Sequence, residues 1–181
     1  MPTPARRSLR LLLTLLAAAA LSCTAVPGPA AARCCRDERA ATFRALNVAR
    51  ARHGAPPLVL DERLDRAARR HSRDMVLRRY FAHESPGGGR FSARIAATGW
   101  MRRRGRWYVG ETLAWGWGTS AGPWRVVAAW LRSPSHRRVA LSPRYRRVGI
   151  GIVHGTPVAG APAGLTYTAD FGSGGASRRR R

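Results

Sequence analysis

Apolar side chains recur at helical spacing in three parts of the chain, and residues typical of helix ends flank them. The first part runs from Asp37 to His53, with acidic residues in its first turn and Gly54 just past its end. The second begins at Asp61, a residue type that caps helix N-termini, and continues to Tyr80. Its apolar stripe consists of Leu64, Ala67, Ala68, His71 and Met75. We therefore predict helices over 37–53 and 61–80.

The third helical pattern covers residues 120–133. Ser120 stands at its start as the predicted cap, and the apolar positions that follow are Trp124, Val127, Ala128 and Leu131. A shorter helical turn is predicted around Phe91 to Ala97, within a glycine-rich loop. The pattern thus adds one long and one short helix to the first two.

Strands are predicted in the middle and at the end of the chain. Residues 107–118 alternate and are rich in aromatic side chains, as strands often are. Residues 146–155 and 164–172 flank a Gly, Pro and Ala loop, which is typical of an antiparallel pair with a long connection, and 55–60 form an extended link. Because strands and helices do not alternate regularly, we predict an α+β domain whose helices cover a mainly antiparallel sheet.

The first 32 residues have the organisation of a secretory leader. A basic start precedes the apolar run Leu11 to Leu21, and small residues suited to cleavage follow. We predict a signal segment over 1–32, an N-terminal tail over 33–40, one domain over 41–172 and a disordered arginine-rich tail over 173–181. The mature protein is expected outside the cell or at the cell envelope, without a transmembrane helix.

Two variants of this export prediction stay open. Arg6 and Arg7 lie in a stretch similar to a twin-arginine signal. The run Ala-Leu-Ser-Cys ending at Cys23 is an imperfect match to a lipoprotein box, in which Cys23 would carry a lipid anchor. Cys34 and Cys35 are adjacent, and a bridge between neighbours is strained, so they do not form an ordinary disulfide framework.

Positive charge dominates the composition. The 181 residues carry a net charge of +24, and all 33 basic residues are arginines. Such a charge is typical of nucleic-acid binding, but the arginines are scattered and few aromatic residues stand among them to stack on bases. We therefore favour contact with anionic polymers of the envelope over binding to nucleic acid.

Three titratable residues stand in turn-like or aromatic settings, namely His83, Glu111 and His136. They are too far apart in sequence to form a local ligand cluster, so only the fold can bring them together. Ser133 and Pro134 are suited to the cap and the first position of a short helix, which places His136 in its first turn. The positive end of that helix favours a neutral imidazole.

The other histidines have simpler interpretations. His71 lies in the apolar stripe of its helix with no second ligand one turn away, so we predict a core histidine whose hydrogen bonds are satisfied. His53 and His154 fall at the ends of predicted elements and are expected to face solvent.

Seven motifs, taken in order, resemble the bacterial branch of the CAP superfamily, which comprises cysteine-rich secretory, antigen 5 and pathogenesis-related proteins and is also called SCP-like. The resemblance covers about Phe43 to Gly172. The motifs are LNVARARHGAPPLVLDERL, AARRHSRDM, FAHESPGG, VGETLAWG, AAWLRSPSHRRVAL, RRVGIGIV and YTADFG.

This resemblance implies a three-layer α-β-α sandwich and a surface cleft lined by two histidines and two acids. His83 matches the first histidine, Glu111 the first acid and His136 the second histidine. Ser133 occupies the place of the second acid of many eukaryotic members, and Thr112 replaces a usual asparagine. An activity that needs two acids is therefore in doubt.

Three roles for these residues stay open. His83 and His136, with Glu111, could hold a divalent cation such as zinc reversibly. Glu111 could instead fix a histidine tautomer in a network without metal, or act as general base in hydrolysis. A serine hydrolase is disfavoured, because Ser133 is better used as a cap and no Gly-x-Ser-x-Gly elbow is present.

We expect a secreted binding or interaction module at the cell envelope or outside the cell. Its ligand would be an envelope component, a lipid or a protein, and no cofactor is required. The alternative is a metal-assisted hydrolase acting on peptide or peptidoglycan, with Glu111 as its catalytic residue. The sequence leaves open whether the protein is an enzyme.

Overall fold

Five α-helices and four strands make up the part of the chain that the computed structural model describes, residues 29–101 and 105–174. The helices are α1 (Pro29–Arg52), α2 (Glu62–Arg78), α3 (Phe91–Ala97), α4 (Pro123–Arg132) and α5 (Pro134–Ala140). The strands are β1 (Val59–Leu60), β2 (Trp107–Trp117), β3 (Arg147–His154) and β4 (Gly164–Gly174). Most of the predicted leader, Cys23 and residues 175–181 of the predicted tail lie outside the described residues.

The strands form one mixed sheet in the order β1-β3-β4-β2. β4 pairs antiparallel with both β3 and β2, whereas the two residues of β1 run parallel to β3. The prediction of a mainly antiparallel sheet is therefore confirmed, with β1 as a parallel addition at one edge. β2 forms the opposite edge, and this strand carries Glu111.

Glycines in β3 let α2 lie directly on one face of the sheet. A methyl group at Gly149 would overlap the backbone of Leu64, and one at Gly151 would overlap the backbone of Ala68. The inner side of α2 carries the predicted apolar stripe together with Ser72, whose hydroxyl donates to Thr168 Oγ1 over 2.8 Å. α3 joins α2 on this face through Ile95.

The opposite face of the sheet is covered by α1, α4 and α5. Alternate residues of β3 and β4 point to this side and form the main core with the three helices. Its largest members include Leu46, Trp130, Ile150, Tyr167 and Phe171. Helices on both faces of one sheet confirm the predicted three-layer sandwich.

A buried arginine joins distant parts of this second layer. Arg50 of α1 is fully buried, and its guanidinium donates to four backbone carbonyls. The acceptors are Pro56, Ala140, Ser142 and Tyr145, at distances from 2.7 to 3.2 Å. Burial lowers the pKa of Arg50, and the nearby charge of Arg146 lowers it further. These carbonyls lie near the ends of α1 and α5, so one side chain fixes both.

α1 is longer than predicted. It begins at Pro29, well before the expected start at Asp37, so residues 33–40 are helical and are not a tail. Proline is suited to the first helical position, and the alanines and arginines that follow are strong helix formers. Cys34 and Cys35 therefore lie within α1, and Cys35 is half-buried against the main core.

The start and the buried side of α4 also differ from prediction. Gly122 is the residue before the helix and Pro123 its first residue, whereas the Ser120 hydroxyl donates to Trp117 O over 2.6 Å in a preceding 3-10 turn. Trp124 is 54% exposed, and Trp130 is buried in its place. Of the predicted stripe, Val127 is buried and Leu131 packs against the core. Trp124 was wrongly included, because it and Trp130 lie on different sides of the helix and only Trp130 faces the core.

At its C-terminal end β4 runs on to Gly174, two residues into the predicted disordered tail, because its pairing with β2 continues to that point.

Among the helices in residues 29–101 and 105–174, none has the length and apolar character needed to cross a membrane.

Candidate functional site

Glu111 lies at the base of a polar site built from three segments. It stands on β2, and its side chain is only 1% exposed. Its Oε1 accepts from His83 Nδ1 over 2.8 Å, and its Oε2 accepts from an Arg94 terminal nitrogen over 2.7 Å. His83 comes from the loop between α2 and α3, and Arg94 comes from α3. Both carboxylate oxygens are therefore engaged, which fixes the orientation of this group.

The contact with Glu111 orients the His83 ring. Because Nδ1 donates to the carboxylate, Nε2 is the nitrogen left for a ligand or for solvent. The side chain is 48% exposed, so the ring is accessible from outside. Arg94 also donates to Gly89 O over 3.2 Å, which ties the loop that carries His83 to the base of the site.

His136 stands near His83 on a different element. It occupies the third position of α5 after Pro134, as predicted, and its side chain is half-buried. Burial lowers the pKa of His136, and the charge of a protonated His83 lowers it further. Ser133 is the N-cap residue, but its hydroxyl lies 3.2 Å from Ser135 Oγ and does not cap the helix. The lowered pKa of His136 favours its neutral form.

Asp170 is a part of the site that the sequence reasoning missed. It lies on β4 directly opposite Glu111 and is fully buried. Among the described residues, neither of its oxygens has a donor. Burial raises the pKa of Asp170 well above its usual range, and the charge of Glu111 adds to the effect. Both causes favour the protonated form of Asp170 over the carboxylate.

One signal for Asp170 was present in the sequence. The YTADFG strand places an acid between Ala169 and Phe171, where strands of this kind carry apolar or small residues. A buried acid needs a partner. The sequence does not tell which strand lies opposite, so Glu111 could not be named as that partner.

His71 supports the site from the inner side of α2. It is fully buried, and its Nε2 lies 2.9 Å from Ala82 O, which fixes the chain just before His83. Burial lowers its pKa, partly opposed by the charge of Glu111. Tyr80 OH donates to Asp74 Oδ2 over 2.5 Å and lies 3.4 Å from His71 Nδ1. The predicted core histidine is confirmed, and it holds the loop of the site.

His83, Glu111 and His136 were predicted as possible ligands of a divalent cation. In the described part of the chain, no three His, Cys, Asp or Glu side chains are grouped closely enough to hold a metal ion. The two oxygens of Glu111 already accept hydrogen bonds from His83 and Arg94. The positive charge of the Arg94 guanidinium also disfavours a metal ion at the same carboxylate. A site with Glu111 as third ligand therefore does not fit these residues. The imidazoles of His83 and His136 remain as the only two predicted ligands with a free nitrogen.

The two other histidines lie away from the site, as predicted. His53 is exposed at the end of α1, with Nδ1 2.8 Å from Ala49 O, and His154 is exposed at the end of β3. Of the predicted site residues, His83 is joined to Glu111 by a hydrogen bond, and His136 lies close enough to His83 for the charge of His83 to lower its pKa.

A sequence model of a known family matches most of the chain. The model describes CAP, the cysteine-rich secretory protein family, and it covers residues 43–169. The chain belongs to the CAP family. This CAP chain is 37% identical over 107 residues to the uncharacterized protein YkwD of Bacillus subtilis (strain 168). That match covers 59% of the CAP chain and 39% of YkwD, so the CAP chain spans less than half the length of this relative.

Two solved structures share the CAP fold. An extracellular protein containing a SCP domain from Bacillus anthracis superposes with a TM-score of 0.63 at 24% identity, covering 82% of this chain and 44% of that one. An outer surface protein from Borrelia burgdorferi gives a TM-score of 0.63 at 20% identity, covering 76% of this chain and 93% of that one. The predicted family and fold are thereby confirmed.

Proposed function

We propose that this CAP chain is a binding module that acts at the cell envelope or outside the cell, and that its ligands are held at His83 and His136. The hydrogen bond between His83 Nδ1 and the buried Glu111 carboxylate carries this proposal. Histidines that bind a metal through one ring nitrogen usually donate the other N–H to a carboxylate or a carbonyl. Holding the ring in one tautomer and orientation is useful when the outer nitrogen has to meet a ligand.

The chemistry of the two rings favours a divalent cation such as zinc as one ligand. A neutral imidazole offers a nitrogen lone pair, and the lowered pKa of His136 keeps that lone pair free at pH 7. Zinc prefers such nitrogens. With two protein ligands the cation would complete its coordination with water or with a bound molecule. Its binding is therefore reversible, and no cofactor is needed for the fold.

The location outside the cell rests on separate support. The predicted signal segment over 1–32 and the net charge of +24 suit a protein that meets anionic envelope components. The two proteins with similar structures are described as extracellular and as an outer surface protein. These observations support an envelope or extracellular role for this chain as well.

Hydrolysis has weaker support. As a general base, Glu111 would have to take a proton from water, but its side chain is 1% exposed and both oxygens already accept hydrogen bonds. A basic carboxylate also needs a free lone pair directed at the water. Turnover of peptidoglycan or casein that disappears in a Glu111→Gln variant would restore the hydrolase alternative.

The cation proposal is tested by thermal unfolding during zinc titration. At zinc concentrations ten times Kd, binding should add about 1.4 kcal/mol and raise Tm by roughly 3–6 °C. The double variant His83→Ala/His136→Ala should lose this shift, whereas His154→Ala, an exposed histidine away from the cleft, should keep it. If wild type and the double variant both fail to shift, the cleft does not bind zinc.

A further inference from the structure

The outer side of α2 carries an uninterrupted row of positive charge. α2 turns its inner side to β3 and β4, so its exposed residues line the side that faces solvent. Between residues 66 and 73 of α2, every exposed residue is an arginine. We call this set the arginine face; its members are Arg66, Arg69, Arg70 and Arg73.

The spacing places the four side chains on one side of the helix. Positions three, four and seven apart are neighbours on a helical surface. The four Cα atoms span about 10 Å along the axis, at roughly 1.5 Å per residue. The arginine face is therefore a short, straight row of guanidinium groups on a rigid support.

These charges are not paired with acids among the described residues. None of the four arginines takes part in an ion pair or a side-chain hydrogen bond there. Of the nearby acids of α2, Asp65 pairs with Arg39 and accepts from Ile150 N, and Asp74 accepts from Tyr80. Glu62 is exposed one turn before Arg66, at the end of the row, and leaves the other three arginines without a neighbouring free acid on the helix. Like charges held this close repel each other, and an anionic ligand removes that cost.

High arginine content alone does not produce this arrangement. On α4 the exposed residues are Trp124, Arg125, Ala129 and Arg132, so apolar and basic positions alternate. On α1 the exposed positions from Arg44 to Arg52 also include a valine and an alanine. The row on α2 is thus a local feature of one helix.

We propose that the arginine face binds a linear phosphate polymer. Guanidinium groups form paired hydrogen bonds with phosphate oxygens, and a straight row of them suits an anion that repeats along a chain. The face has no aromatic side chain to stack on bases, which disfavours single-stranded nucleic acid. Its one exposed apolar neighbour on α2 is Leu77, one turn beyond Arg73, which is too little apolar surface to anchor the helix in the acyl region of a membrane. The proposal is independent of the histidine cleft.

The test uses the full chain and inorganic polyphosphate of defined length as the probe. One variant carries Arg66→Gln, Arg69→Gln, Arg70→Gln and Arg73→Gln. Its matched control carries Arg44→Gln, Arg52→Gln, Arg125→Gln and Arg132→Gln, four exposed arginines of α1 and α4 on the other side of the sheet. Both variants lose the same charge, so only the position of the loss differs.

Binding is measured between 50 and 200 mM salt. With about 0.7 counterions released per phosphate contact, four contacts give a slope near −3 in log Kobs against log salt, or roughly a 50-fold loss of affinity across this range. The face variant should lose most of that slope, and the control should keep it. Circular dichroism and Tm establish that each variant is folded, and Arg70→Glu alone should weaken binding several-fold if the fourfold variant is unstable.

Three results would overturn the proposal. Equal losses in the two fourfold variants would mean that net charge, and not the arginine face, attracts the polymer. If the wild-type protein does not bind polyphosphate at low salt, a phosphate polymer is not the ligand of the arginine face. Binding to phosphatidylglycerol vesicles without binding to polyphosphate would assign the face to a lipid surface.

Discussion

The Glu111 carboxylate has one fixed orientation because each of its oxygens has its own donor. Asp170 lies opposite it on the neighbouring strand. Three of the residues at this site, His83, Glu111 and His136, could be named from sequence because their motifs match a family. Asp170 could not, since its role depends on the register between β2 and β4. Arg94 was not predicted, because arginine is so abundant in this chain that a single arginine does not indicate a site residue.

Asp170 should make stability depend on pH. Its pKa is raised in the folded state, so the folded protein keeps this proton above pH 4 while the unfolded chain, with a carboxyl pKa of about 3.9, releases it. Raising the pH through this window lowers the free energy of unfolding, by at most about 1.4 kcal/mol per pH unit from one group. In Asp170→Asn this contribution disappears, so the stability of the variant relative to wild type should increase with pH.

Urea unfolding between pH 4 and pH 7 measures this difference. Asp37→Asn, which changes an exposed carboxyl on α1, serves as the control and should follow the wild-type profile. Identical pH profiles for wild type and Asp170→Asn would mean that Asp170 is ionised in the folded protein.

At the scale of elements, the helices and strands whose apolar pattern is unambiguous were predictable. α2 has one narrow apolar stripe and a capping Asp61, whose Oδ1 accepts from the backbone of Arg63 and Leu64, and the predicted buried positions are all buried. α4 has tryptophans on two sides, so its pattern suits more than one orientation. Only contact with α1 and the sheet decides that Trp130 is the one inside.

The contact between α2 and β3 depends on Gly149. In Gly149→Ala the new methyl group would meet the backbone of Leu64, and a backbone cannot move aside as a side chain can. We expect a loss of about 3 kcal/mol or more in the free energy of unfolding. Gly87→Ala is the control, because a methyl group there meets no neighbour within 4 Å. A Gly149→Ala variant as stable as the control would show that α2 can shift away from the sheet.

At the scale of the whole molecule, Arg50 binds the second helical layer together. Its four carbonyl acceptors come from parts of the chain on both sides of α2 and β2 in sequence. The class of fold followed from the order of helices and strands, but this clamp did not, because arginine is usually exposed. A fully buried arginine is recognisable only when the carbonyls that surround it are known.

Replacing Arg50 tests its role as a clamp. Arg50→Met leaves the buried carbonyls without a donor and should lower the free energy of unfolding by about 3 kcal/mol or more. Arg50→Lys keeps the positive charge but lacks the planar guanidinium, so it should lower the free energy of unfolding by less than Arg50→Met does. Guanidinium unfolding measures both, with the exposed Arg44→Met expected within about 0.5 kcal/mol of wild type. A full loss in Arg50→Lys as well would show that no single ammonium can substitute for the guanidinium.

Because Gly149 and Gly151 have no side chains, they also limit how α2 can move. With its backbone seated directly on β3, the helix has no layer of side chains on which to slide or rotate. Its outer arginines and the inner His71, which holds the loop of the cleft, therefore keep a constant separation and relative direction. A polymer lying along the helix and a molecule in the cleft would always meet the domain in the same mutual orientation.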